Sequence, residues 1–98
     1  MSRRRSKFEI YVDILTQIKS GVNISTRIMY GSNLSWKPLR QILKSLVIQG
    51  LIEEHSVGEG NKRTKRIYSI TEKGDKVLMY FNNAKNLMEL EVTPLFNE

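Results

Sequence analysis

The sequence predicts a mainly α-helical domain with a small β-hairpin, closed by a long C-terminal helix. Three observations predict it. Apolar residues recur at helical spacing in separate stretches, the period changes between residues 51 and 70, and glycine or proline marks most of the junctions. A chain of 98 residues with 40% hydrophobic content supports one modest core and leaves little room for two.

The first helix opens at Ser6, where Ser6-Lys7-Phe8-Glu9 fits a reciprocal capping box. Phe8, Tyr11, Ile14, Leu15 and Ile18 then step by three and four along one face, which reads as core packing, and Gly21 stops the helix after Lys19. Ser25-Thr26 opens a short second helix through Ile28, Met29 and Tyr30, closed by Gly31. Asn33-Leu34-Ser35 makes a turn, and Ser35 is the N-cap of a third helix over 35–49, with Pro38 in its first turn. Leu39, Ile42, Leu43 and Leu46 form its apolar side, while Lys37, Arg40, Gln41 and Lys44 lie mostly opposite; Gly50 ends it.

Two strand candidates follow, 51–55 and 66–70, the second favoured by Ile67, Tyr68 and Ile70. The turn-rich stretch 56–65 between them reads as a basic hairpin loop, and with Arg66 it makes a basic segment at 56–66. Thr71 caps a fourth helix expected to run to about Glu91 or residue 92, with Pro94 beyond its end. The expected organisation is a basic arm at 1–5, a main domain at 6–71, a C-terminal helix at 72–92 and a tail at 93–98.

Charge narrows the partner. Sixteen basic residues against ten acidic ones give a formal net charge of +6. Residues 1–50 carry +7, residues 51–70 carry +1 and residues 71–98 carry −2, with no carboxylate between Asp13 and Glu53. Such a polarised basic front favours a polyanion, nucleic acid first. A membrane-binding surface would concentrate the charges on one amphipathic helix, whereas here they fall on several elements. No apolar run approaches the ~18–20 residues of a membrane span. The absence of cysteine excludes disulfide scaffolds and thiolate metal sites, and a single histidine, His55, leaves no imidazole cluster. No metal or cofactor is implied. An enzyme is not expected either: there is no phosphate-cradling glycine motif, and Glu53 and Glu54, adjacent on a strand, face opposite ways.

Helix, short helix, turn, helix and hairpin is the order of a winged helix-turn-helix domain. In that arrangement the polar side of the third helix enters a major groove while the hairpin, the wing, reaches the backbone or minor groove. Lys37, Arg40, Gln41 and Lys44 supply the first surface; Lys62, Arg63, Lys65 and Arg66 supply the second. Arg40 is the favoured base reader, because its planar fork matches the edge of guanine. Arg27, Ser35 and Trp36 are further candidate DNA-binding residues; Trp36 either packs on the preceding turn, the preferred reading, or stacks on the ligand. Arg3, Arg4 and Arg5 form an arm able to add phosphate contacts.

The run Thr26-Arg27-Ile28-Met29-Tyr30-Gly31-Ser32-Asn33-Leu34-Ser35-Trp36 resembles a segment of small archaeal winged-helix proteins, the "ten-a" chromatin-associated type and related transcription regulators. Lys7-Phe8-Glu9-Ile10 and Ile70-Thr71-Glu72-Lys73-Gly74 are similar too, so the resemblance spans residues 7–88. It implies duplex DNA binding by a dimer whose C-terminal helices form an antiparallel coiled coil. The sequence departs from the chromatin type in a longer, more basic hairpin loop and a shorter last helix.

Val77, Phe81, Ala84 and Met88 step by four, three and four along that helix, flanked by Leu78 on one side and by Tyr80 and Leu87 on the other. Either the helix folds back on the first helix of its own chain, or a second copy covers it; the partner is the preferred expectation. The sequence therefore leads to a cytoplasmic, nucleoid-associated DNA-binding regulator or architectural protein. The alternative is a winged-helix adaptor that docks an acidic protein.

Overall fold

The computed structural model describes residues 6–58 and 65–96, with side chains as far as Met88. The elements are α1 (Lys7–Lys19), α2 (Ser25–Ser32), α3 (Trp36–Ile48), β1 (Ile52–Val57), β2 (Lys65–Ile70) and α4 (Glu72–Phe96). The expected order of elements is the observed one.

Helix α1 starts where its capping box dictates. The Ser6 hydroxyl accepts from the Glu9 amide at 3.0 Å and the Glu9 carboxylate accepts from the Ser6 amide at 2.8 Å. Val12, Ile14, Leu15 and Ile18 are its buried residues. Phe8 is a correction. It has the periodicity of a core residue but is 55% exposed, because the first turn of α1 overhangs the domain. Its ring meets the edge of Phe81 on α4, with centroids 5.2 Å apart.

Helix α2 also departs from expectation. Gly31 lies inside it, and Asn33 in the left-handed region (φ 60°) closes it. Asparagine tolerates that conformation because its short amide can bond locally. The glycine serves packing instead: a Cβ on Gly31 would stand 2.1 Å from the Gln17 side-chain oxygen of α1. Helix α3 buries Leu39, Leu43 and Leu46, and Ser35 precedes it as N-cap without a side-chain capping bond.

The strands are antiparallel, paired from Ile52↔Ile70 to Val57↔Lys65. They extend further into the expected loop, so Ser56, Val57 and Lys65 are strand residues, while Arg66 is a strand residue as expected and β1 begins at Ile52, one residue after Leu51. The sequence also gave no sign of a third backbone contributor. Ile24 bridges Ile67, and the Tyr68 amide donates to the Asn23 carbonyl at 2.9 Å. The segment before α2 is thereby tied to the outer edge of the hairpin.

Thr71 caps α4: its hydroxyl accepts from the Gly74 amide at 3.0 Å and lies 2.7 Å and 3.0 Å from the Gly50 and Leu51 carbonyls. The join is tight enough that a Cβ on Gly74 would stand 2.2 Å from the Leu51 carbonyl oxygen. Lys19 at the end of α1 pairs with Asp75 in the first turn of α4, an exposed pair of small energetic weight. The expected end of α4 near residue 91 or 92 is overturned, since the helix continues through Pro94 to Phe96. A proline in the last turn removes one backbone bond and need not end the helix before it. The core, which includes Ile14, Leu15, Ile28, Leu39, Leu43, Leu46, Ile52, Tyr68 and Leu78, lies where α1, α3 and the hairpin converge beneath the start of α4.

Candidate nucleic-acid interface

Burying Leu39, Leu43 and Leu46 forces the opposite side of α3 outward. Trp36, Lys37, Arg40, Gln41 and Lys44 are accordingly exposed. The bridge from Ile24 to Ile67 brings the start of α2 beside β2. A cleft of about 700 Å³ results, lined by Ile24, Ser25, Thr26, Arg27, Trp36, Arg40, Lys65 and Arg66. Four cations and one aromatic ring from three different elements thus share one concavity. The N-cap of α2 is Ile24, which offers no side-chain bond, so the first amides of α2 keep their partial positive charge toward this side.

A second, smaller cleft of about 180 Å³ separates α3 from the hairpin, lined by Arg40, Leu43, Lys44, Val47, Ile48, Glu54, Arg66 and Tyr68. Arg40 and Arg66 line both clefts and are the pivot of the surface. Tyr68 is buried, and its hydroxyl donates to Glu54 Oε2 at 2.9 Å. Burial pushes the phenol up to about 12, helped by the hydrogen bond to Glu54 and by the charge of that carboxylate. Arg66 Nη1 lies 3.8 Å from the same oxygen. On the other face of β1, His55 lies 3.1 Å from the Ser69 hydroxyl and 3.6 Å from the Glu53 carboxylate.

The structure therefore brings together Arg27, Trp36, Arg40, Lys65 and Arg66, and sets Lys44 just beyond them. Trp36 is 41% exposed and forms part of the cleft wall, so it is not simply packed away. Lys37 and Gln41 are exposed on α3 but line neither cleft, and Ser35 stays at the helix start. Arg3, Arg4, Arg5, Lys62 and Arg63 lie outside the described residues. Sequence reasoning missed Ser25, Thr26, Glu54 and Tyr68. The last two face each other in the hairpin register, a signal that becomes readable once the register is known.

The C-terminal helix shows a graded face. Leu78 is buried in the core of its own domain, and Val77 and Phe81 pack partly against it. Ala84 is exposed. Tyr80, Leu87 and Met88 are 67%, 63% and 65% exposed. Between α1 and α4 runs an open groove of about 810 Å³ whose apolar lining includes Phe8, Val12, Phe81, Ala84 and Met88. Fold-back on α1 thus covers the helix as far as Phe81.

The profile of the winged helix-turn-helix family matches residues 4–89. The chain belongs to that family. This winged helix-turn-helix protein is similar to two uncharacterized proteins of Methanocaldococcus jannaschii. The first is 36% identical over 74 residues, covering 76% of this chain and 67% of its own length. The second is 31% identical over 77 residues, covering 79% of this chain but 32% of its own length, so the chain spans about a third of that relative. Among solved structures, smu.1704 from Streptococcus mutans superposes with a TM-score of 0.81 at 20% identity, over 99% of this chain and 94% of its own. Bacillus subtilis PadR in complex with operator DNA gives a TM-score of 0.66 at 20% identity, over 76% of this chain and 47% of its own. Sso10a-2, a DNA-binding protein from Sulfolobus solfataricus, gives 0.65 at 25% identity, over 94% and 97%. The family match and the likeness to the Sulfolobus protein agree with the resemblance to small archaeal winged-helix proteins. Among the described residues, no helix is long and apolar enough to cross a membrane.

Proposed function

We propose that this protein is a duplex-DNA-binding transcription regulator. One observation carries the reading: Arg27, Arg40, Lys65 and Arg66 converge with Trp36 on a single cleft beside the outward face of α3. Four cations brought together from separate elements repel one another, and a phosphate backbone relieves that repulsion. In this reading α3 enters the major groove with Arg40 and Gln41 at base edges, and Lys37 and Lys44 meet phosphate. Arg27, Ser35 and Trp36 position the backbone at the helix junction. The hairpin, with Lys62, Arg63, Lys65 and Arg66, tracks the backbone or the adjacent minor groove, and Arg3, Arg4 and Arg5 add contacts as an arm. The DNA-binding description of Sso10a-2 and the operator-bound state of PadR support the same direction.

The functional unit in this reading is a homodimer joined through the C-terminal helices. The support is the exposure of Leu87 and Met88 beyond the part of α4 that α1 covers and of Tyr80 on its outward side, together with the exposed Ala84 and the half-buried Val77 and Phe81. Two copies present two recognition helices to two half-sites, which multiplies a weak single-site affinity. Its cellular place is the cytoplasm, on the nucleoid.

Binding to random duplex DNA across a salt series tests the reading. Release of counterions gives a steep negative log–log slope, of roughly 0.9 per phosphate contacted. An adaptor for an acidic protein would bind DNA poorly at every salt concentration. Genome-wide crosslinking then separates a regulator, with a few sharp peaks, from an architectural nucleoid protein with broad coverage.

A further inference from the structure

Among the described residues, one carboxylate stands inside the cationic face. Glu54, on β1, lines the small cleft together with Arg40, Lys44 and Arg66. An acidic residue that had only to be solvated would point away from a surface built to receive phosphate. This one is anchored there. Its Oε2 accepts the Tyr68 hydroxyl at 2.9 Å and lies 3.8 Å from Arg66 Nη1. Tyr68 is 4% exposed and sits opposite Glu54 in the hairpin register, so the anchor belongs to the core. The carboxylate itself remains at the surface, with its side chain 38% exposed and that of Arg66 51% exposed.

We propose that Glu54 is an attenuating and positioning residue of the DNA-binding face, which holds the Arg66 guanidinium and competes with phosphate for it. The proposal rests on the duplex-DNA reading above. Carboxylate and phosphodiester are both oxyanions suited to the same guanidinium fork. For Arg66 to engage DNA, either the pair parts or a phosphate settles beside a carboxylate. Both routes diminish what Arg66 contributes to every sequence alike. Lys65, its neighbour on β2, has no ion-pair partner among the described residues and contributes in full. Glu54 thereby lowers general affinity and fixes Arg66 against the hairpin.

The test measures binding of the full chain to a random duplex over a salt series, with folding checked by thermal melting. Lys65→Ala is expected to flatten the log–log slope by about 1, and Arg66→Ala by less than half of that. Glu54→Gln, whose amide oxygen can still accept from Tyr68, is expected to tighten binding about threefold at low salt and steepen the slope by about 1. Adding Arg66→Ala to Glu54→Gln should return the gain, and Glu54→Asp should keep the wild-type slope. A positional role without attenuation gives a different pattern: Arg66→Ala flattens the slope as much as Lys65→Ala, or Glu54→Gln leaves slope and affinity unchanged. Either result overturns the proposal. If Glu54→Gln fails to fold, the comparison of Arg66→Ala with Lys65→Ala decides alone. A wild type that shows no salt-dependent duplex binding removes the DNA reading itself, a result distinct from normal wild-type binding with a silent Glu54→Gln.

Discussion

Gly74→Ala should unfold this domain far more readily than Gly31→Ala, although both replace a helical glycine by the best helix former. At Gly74 the new methyl would stand 2.2 Å from the Leu51 carbonyl oxygen and 2.9 Å from Ile70 Cγ1. An ordinary carbon–oxygen contact is roughly 1 Å longer, so one of the two backbones must move. Neither moves freely: the Thr71 amide donates to the Leu51 carbonyl at 3.1 Å, and the Thr71 hydroxyl bonds the Gly74 amide at 3.0 Å. Overpacking costs about 1–3 kcal/mol, and weakening one or two of these bonds adds about 1 kcal/mol each. Alanine's helix preference returns about 1 kcal/mol. The net loss is about 1–4 kcal/mol, at about 4–8 °C of Tm per kcal/mol for a domain of this size. At Gly31 the obstacle is the Gln17 side-chain amide at 2.1 Å, the far end of a flexible chain that can swing aside. That variant should stay within about 0.5 kcal/mol of the wild type. Thermal and denaturant unfolding at one fixed protein concentration measure both. A Gly74→Ala protein as stable as the wild type would refute the tight junction between α4 and the α3–β1 turn.

Two further outcomes follow from the same packing. Tyr68 titrates higher in the fold, at about 12, than its ordinary value of 10.0, so the stability it confers is complete below pH 10 and is lost as pH rises through about 12. Tyr68→Phe should therefore lose about 1 kcal/mol at neutral pH and show a weaker decline than the wild type between pH 10 and 12; equal declines, followed by denaturant titration, would contradict the assignment. In the proposed homodimer, Phe81→Glu combined with Met88→Glu should yield a monomer with much weaker DNA binding, because two carboxylates would then stand on the apolar face, including the 65% exposed Met88, that a second copy would cover. Sedimentation of the wild type near 11.4 kDa at micromolar concentration would instead leave α4 resting on α1 alone.

What the sequence disclosed and what it hid divide along physical lines. Local signals were legible: the Ser6–Glu9 capping box, the apolar stripe of α3, the change of period at the hairpin and the Thr71 cap all appear as read. Tertiary ones were not. Gly31 looked like a helix stop because glycine favours left-handed backbone, yet its role is the close approach of α2 to α1, which no periodicity encodes. Phe8 kept the right phase for the core and missed it by lying one turn beyond the domain's edge. The cleft was half legible: Arg40, Lys65 and Arg66 stood out by charge, whereas Glu54 and Tyr68 needed a register that the turn-rich loop concealed.

In the proposed reading the outward face of α3 receives duplex DNA. Fluorescence anisotropy of a labelled duplex with the wild type and with the Lys37→Ala, Arg40→Ala, Lys44→Ala triple variant tests it most directly. All three side chains are exposed and none belongs to the core, so thermal stability should hardly change. The expected result is affinity weaker by about tenfold or more and a shallower salt slope. A stable triple variant that binds DNA as tightly as the wild type would contradict it.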